Sequence, residues 1–211
     1  MRPARQAFTR ESADARRNAL IEATAACLAE HGLAGTHVRA ICARAGVSPG
    51  LLRHYFAGID ELIAATYRAT SDRMDAIFAA AVEAAGSDPR ARLNAYLTTS
   101  FRPPVTDPEL LGAWTAFWAL ARSDGRMAAI HAESYAGYRA RLAELLAACG
   151  AAESGRLAIM LTAMVDGLWL ELSLDPASFG GEAAAQMVEQ AVAALLRPGA
   201  DDPGALLGTG H

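Results

Sequence analysis

The chain has 211 residues, 53% of them apolar and 20% charged, with a formal net charge of −4. That composition supplies a packed core and excludes a disordered chain, and the length accommodates one large domain or a small one joined to a medium one. Charge is uneven: residues 1–60 hold eight arginines against five acidic residues, residues 61–211 hold eleven against eighteen, and lysine is absent. A basic head on an acidic body confines nucleic-acid contact to one end, where every cation is a guanidinium fork able to grip phosphate or guanine.

Helix formers fill every long segment and strand signals are nearly absent, so the expected fold is all-α with about nine helices. Residues 1–13 read as a flexible basic arm. A first helix runs from about Asp14 to His31, with Leu20, Thr24, Cys27 and Leu28 on one face, and Gly32 stands where a left-handed cap belongs. Thr36 is the next N-cap candidate, opening a short helix whose Val38, Ile41 and Cys42 point inward. Gly46 ends it. Ser48 followed by Pro49 is a strong start signal for a third, very short helix ending near Phe56. Later helices are expected over about Ile59–Ala85, from Asp88-Pro89, from Asp107-Pro108, and over about Gly125–Ala148, Ser154–Ser173 and Glu182–Leu196. The tail over 199–211 reads as disordered.

Cys27, Cys42 and Cys149 are odd in number and form no CxxC pair, which points to a reducing compartment without disulfides. The N-terminal segment has no apolar stretch of the signal-peptide kind. Leu157 to Leu174 is the most apolar run, but Asp166 and Glu171 interrupt it, so no membrane contact is expected and the reading is cytoplasmic.

Three short helices with a glycine-centred turn between the second and third make a helix-turn-helix pattern. Leu52 and Phe56 face the core with Val47, which leaves Pro49, Gly50, Arg53 and His54 on the outer side. A small residue for close approach and an arginine able to fork onto guanine are what a major-groove reader needs. The Tyr55 hydroxyl can reach a phosphate, and Thr36 and Ser48 sit at helix N-termini that favour phosphate oxygen, or act as caps alone. Arg39 is open between a phosphate contact and a plain surface role, and Arg44 reads as solvated surface.

The run from Thr36 through Ala-Gly-Val-Ser-Pro-Gly-Leu-Leu-Arg-His-Tyr to Phe56 resembles the DNA-binding signature of the TetR family, over about residues 14–63. The resemblance implies a DNA-binding domain at 14–60 whose third helix reads the major groove through Ser48, Pro49, Gly50, Leu51, Arg53, His54 and Tyr55. It also implies a ligand-binding and dimerisation domain at 61–198 that pairs through its last two long helices. Such a protein is a ligand-responsive repressor that binds a palindromic double-stranded operator as a homodimer and leaves it when a small-molecule effector binds. The family commonly has a phosphate-holding lysine where Ile59 stands, a contact that Arg16 and Arg17 are placed to replace.

In the acidic body, Trp114, Phe117 and Trp118 recur on the sixth helix, and Asp166-Gly-Leu-Trp169 marks the eighth. These stretches resemble the BetI-like subgroup, whose name-giving members control choline and glycine betaine genes. Aromatic faces with a carboxylate would suit a quaternary ammonium by cation–π attraction; the same spacing equally describes core residues. Glu171 replaces a basic residue of the closest members. The wide apolar faces of the eighth and ninth helices suit a two-fold four-helix interface.

No phosphate loop, HExxH, GxSxG or carboxylate–histidine cluster is present, so neither catalysis nor a metal or cofactor is expected. The alternative reading is a helical ligand-binding or interaction module that has lost sequence-specific DNA binding.

Overall fold

The computed structural model describes residues 4–197, and the tail predicted over 199–211 lies outside them. Among the described residues there are nine α-helices, one short 3₁₀ turn and no strand. Helix α1 spans Ala4–Gly35 and bends at Gly32, whose φ of 60° and ψ of −166° are not helical. It starts well ahead of Asp14, so residues 4–13 of the predicted arm are helix; no glycine or proline between Ala4 and His31 stops it. Then follow α2 (Val38–Ala45), α3 (Pro49–Tyr55), α4 (Ile59–Ala84), α5 (Pro89–Thr98), the 3₁₀ turn Thr99–Phe101, α6 (Pro108–Ala121), α7 (Gly125–Ala148), α8 (Ser154–Leu174) and α9 (Gly181–Leu195).

The helices form two compact units. The first takes the chain to Met74 together with Asp107–Ser134, and the second takes Asp75–Thr106 together with the chain from Tyr135 onward. Helices α4 and α7 each begin in the first unit and end in the second. Helix α6 is grouped with the N-terminal helices in the first unit.

In the first unit, Leu20, Cys27, Ile41, Cys42, Leu52 and Phe56 close one core together with Leu62 of α4. Burial pushes the thiols of Cys27 and Cys42 upward, so both behave as small apolar residues. At the start of α4 the Ala57 amide donates to Glu61 at 2.6 Å, and Asp60 and Glu61 sit at the positive end of the helix.

Helix α6 crosses α1 at Gly112. A Cβ there would stand 2.8 Å from the Ala29 Cα and 2.9 Å from the Ala29 carbonyl oxygen, backbone atoms that have nowhere to go. On α6, Trp114 and Phe117 surround Tyr67 of α4; the Tyr67 and Phe117 rings are stacked with centroids 4.4 Å apart. Tyr67 also meets Nδ1 of His131 on α7 at 2.9 Å.

In the second unit, Asp88 caps α5 by accepting from the Ala91 amide at 2.7 Å. Helix α8 buries Ala158, Leu161, Thr162, Val165 and Trp169, and α9 buries Ala184, Ala185, Val188 and Val192. By length and composition alone α8 could cross a membrane. Leu161, Val165, Val188 and Val192, which the apolar faces offered to a partner, are interior residues of the subunit itself. Exposed apolar side chains on these helices are Ile159, 62% exposed, Met160, 48% exposed, and Leu174, 71% exposed, on α8, with Met187 on α9.

The Gly112 crossing is directly testable. Gly112→Val is expected to lower stability by about 2 kcal/mol, the usual cost of overpacking, read as a fall in the urea midpoint at unchanged slope.

Candidate functional site

The outer face of the head is built around the turn at Gly46. Its left-handed φ of 64° lets α2 stop there, with the Val47 amide returning to the Cys42 carbonyl at 3.0 Å. Ser48 then caps α3, accepting from the Leu51 amide at 3.2 Å, and Pro49 occupies the first helical turn as the sequence predicts. Leu52 and Phe56 are buried beneath α3, which leaves Pro49, Gly50, Arg53 and His54 exposed and Leu51 and Tyr55 half-buried. The His54 and Tyr55 rings meet edge to face at 5.1 Å.

Thr36 does not cap α2. Its hydroxyl donates to the Gly32 carbonyl at 2.7 Å and is buried, closing the end of α1. The cap is His37, in extended conformation, whose Nδ1 accepts from the Ala40 amide at 3.2 Å. Arg44, expected to be solvated, forks onto both oxygens of Glu30 at 2.6 Å each and ties α2 to α1. That bond holds the Glu30 carboxyl below its ordinary range. Glu109 in the first turn of α6 adds its charge near Arg44.

Arg16 and Arg39 are exposed, and the Arg17 guanidinium lies 5.2 Å from the centre of the Phe56 ring. Ile59 packs against the head core, so at this position an apolar contact replaces the lysine common in the family.

The five residues nominated for a ligand pocket are divided between the units. Trp114, Phe117 and Trp118 belong to the first, where Trp114 and Phe117 are buried in the aromatic group around Tyr67. Asp166 and Trp169 belong to the second, one helical turn apart on α8. There the Tyr135 hydroxyl donates to Asp166 Oδ1 at 3.2 Å. Burial pushes the Asp166 carboxyl up from 3.8 to about 6, against the opposite pull of the Tyr135 hydrogen bond and the nearby Arg139 guanidinium. Phe78, Tyr96 and Tyr138 form a second aromatic group in this unit, with the Tyr96 and Tyr138 rings 4.9 Å apart. Sequence reasoning passed over Tyr135, Tyr138 and Arg139; their spacing on one face of α7 was the available signal.

An amphipathic helix held outward by a glycine turn defines the class of helix-turn-helix DNA-binding proteins, and the comparisons make that class specific. Residues 20–66 match the bacterial regulatory proteins of the tetR family, and residues 89–197 match the C-terminal region of BetI-type transcriptional repressors. The HTH-type transcriptional regulator BetI of Rhizobium meliloti is 35% identical over 189 residues, 88% of this chain and 92% of that protein. Its namesake in Burkholderia thailandensis is 32% identical, over 87% of this chain and 94% of that protein. Among solved structures, a transcriptional regulator from Pseudomonas aeruginosa PAO1 superposes with a TM-score of 0.78 at 40% identity, covering 87% of this chain and 91% of its own. A regulator from Saccharomonospora viridis, solved in complex with choline, shares the fold with a TM-score of 0.77 at 15% identity, covering 84% and 95%.

The chain belongs to the TetR family of transcriptional regulators and carries a BetI-type C-terminal region. It is a ligand-responsive DNA-binding repressor and not an enzyme.

Asp166 also sets a pH dependence. The folded state keeps a proton between about pH 4 and 6 that the unfolded chain has lost, so this group's contribution to stability falls as pH rises through that window and is constant above it. Asp166→Asn removes the titration while keeping an acceptor for Tyr135. The variant is expected to gain on the native chain across that window in urea unfolding, with a constant difference above pH 7.

Proposed function

We propose that the protein works in the cytoplasm as a homodimer on a palindromic operator, with α3 of each subunit in the major groove. Arg53 forks onto a base edge, His54 and Gly50 lie against the groove floor, and Ser48, Pro49, Leu51 and Tyr55 fix register on the sugar–phosphate strands. Arg16, Arg17 and Arg39 supply the phosphate contacts that a lysine at position 59 would otherwise share. Thr36 acts from inside, by holding the end of α1. The observation that carries this reading is the exposed run of Pro49, Gly50, Arg53 and His54 on a helix whose other side is buried.

The dimer forms through α8 and α9, with the exposed Ile159, Met160 and Met187 meeting their symmetry mates. An effector carrying a cationic group binds at Asp166, with Trp169 and the sixth-helix aromatics Trp114, Phe117 and Trp118 contributing to its response. Binding favours a conformation in which the two heads no longer match the spacing of successive major grooves, and DNA is released. The choline held by the Saccharomonospora viridis protein makes choline the first compound to try.

Fluorescence anisotropy on the DNA upstream of the gene, at two salt concentrations, tests the assignment. The native chain is expected to bind tightly, with affinity falling steeply in salt and surviving excess nonspecific DNA. Arg53→Glu should weaken this binding at least about a hundredfold, since it removes a bidentate contact and places a carboxylate beside phosphate. Unchanged binding by the variant would remove α3 from the interface.

The dimer has its own test. Ile159→Glu is expected to shift sedimentation from dimer to monomer at micromolar protein without altering the helical circular dichroism. A variant that sediments as the native chain does would place the interface elsewhere.

A further inference from the structure

Within the second unit, the surroundings of Asp166 contain more charge than a cation receptor needs. Tyr135, Tyr138 and Arg139 share one face of α7. The Tyr135 hydroxyl is bound to Asp166 Oδ1, and the Arg139 guanidinium lies 5.8 Å from the centre of that same ring. Arg139 is close enough to favour the ionised form of Asp166. Among the described residues no carboxylate stands within 4.0 Å of Arg139, and Asp166 Oδ2 accepts no hydrogen bond. The Tyr138 hydroxyl oxygen, on the same face, is shut off from water and makes no hydrogen bond of good geometry, although the Ser100 side chain lies near enough to approach one and the Asp166 charge is felt there.

A receptor for a simple cation is poorly served by this arrangement. The guanidinium already occupies a face of Tyr135 that a quaternary ammonium would use, and its charge opposes a second cation beside Asp166. A ligand with charges of both signs resolves the conflict: its ammonium meets Asp166 while its anionic end meets Arg139. Resting on Asp166 as the effector's cation partner, we infer that the effector is a zwitterion of zero net charge, an ammonium joined to a carboxylate by a short chain, held between Asp166 and Arg139 across the Tyr135 ring. Arg139 is then the residue that distinguishes it from a plain ammonium compound.

The test is isothermal titration calorimetry of the full chain with 4-(trimethylammonio)butanoate and with its methyl ester, which share a skeleton and differ in the anionic charge. The native chain is expected to bind the zwitterion at least about tenfold more tightly, the scale of one charge-assisted contact. Arg139→Gln should abolish that preference while leaving the ester's affinity unchanged or improved, and Asp166→Asn should weaken both compounds. Anisotropy on operator DNA should show release at correspondingly lower zwitterion concentration. Ester binding equal to or tighter than zwitterion binding, or a preference that survives Arg139→Gln, overturns the inference and leaves the cation reading of Asp166 in place. Binding of neither compound, or of both equally in native chain and Asp166→Asn, removes the cation reading and this inference with it.

Discussion

Helix α3 has seven residues, and an isolated helix of that length is unstable in water because nucleation costs more than so few hydrogen bonds return. Its existence rests on Leu52 and Phe56, buried against Leu20, Cys27, Ile41 and Cys42. The same burial fixes the rotation of α3 about its own axis. With Leu52 and Phe56 inward, Arg53 and His54 have only the outside to occupy. Stability of the head and orientation of its reading surface are thus one property, and a core substitution that loosened Leu52 would disorient Arg53 without touching it. The Ser48 cap and Pro49 set where α3 begins, so rotation and start point are both determined before DNA arrives.

The head is larger than its helix-turn-helix. Helix α6 comes from well beyond it in sequence, yet joins it through the close approach of Gly112 to Ala29 and the stacking of Phe117 on Tyr67. Arg44 and Glu30 fasten α2 to α1 beside Glu109. An exposed pair of this kind contributes little to stability, but its two-pronged geometry restricts how α2 can turn against α1. Helices α4 and α7 each begin in this unit and end in the second.

The sequence made legible those features that depend on neighbours along the chain. Ser48-Pro49, Asp88-Pro89, Asp107-Pro108 and Gly46 each announce a boundary by local chemistry, and all four boundaries lie where that chemistry puts them. Contacts between distant residues left no such trace. Arg44 and Glu30 are fourteen positions apart, and nothing in either segment names the other. The sequence points to Thr36 as the cap of α2, but the adjacent His37 takes the position through its extended backbone, which composition does not encode. On α8 the apolar pattern runs all the way round, so periodicity alone did not say which side faces the subunit and which faces outward. Asp166 stood out as a carboxylate in an apolar run, whereas its partners Tyr135 and Arg139 became visible only when α7 and α8 were seen together.

Buried polar groups among the described residues include satisfied and unsatisfied ones, with Ser71 Oγ and Asn94 Oδ1 unpartnered as well as the Tyr138 hydroxyl. Thr24, Thr66, Thr70 and Thr162 each donate to the carbonyl four residues earlier, so their burial costs little. Asp166 and Tyr138 are different: a carboxylate whose single hydrogen bond comes from Tyr135, and a phenol oxygen with none, both withdrawn from water. Well-packed apolar residues in their places would stabilise the fold. Neither group is explained by stability, and both lie in the second unit, together with the guanidinium of Arg139. Under the proposed reading, a ligand of matching charge would supply such groups with partners, and the cost of leaving them unsatisfied would become differential affinity between bound and free states. Such a difference is what a ligand needs in order to shift a conformational equilibrium.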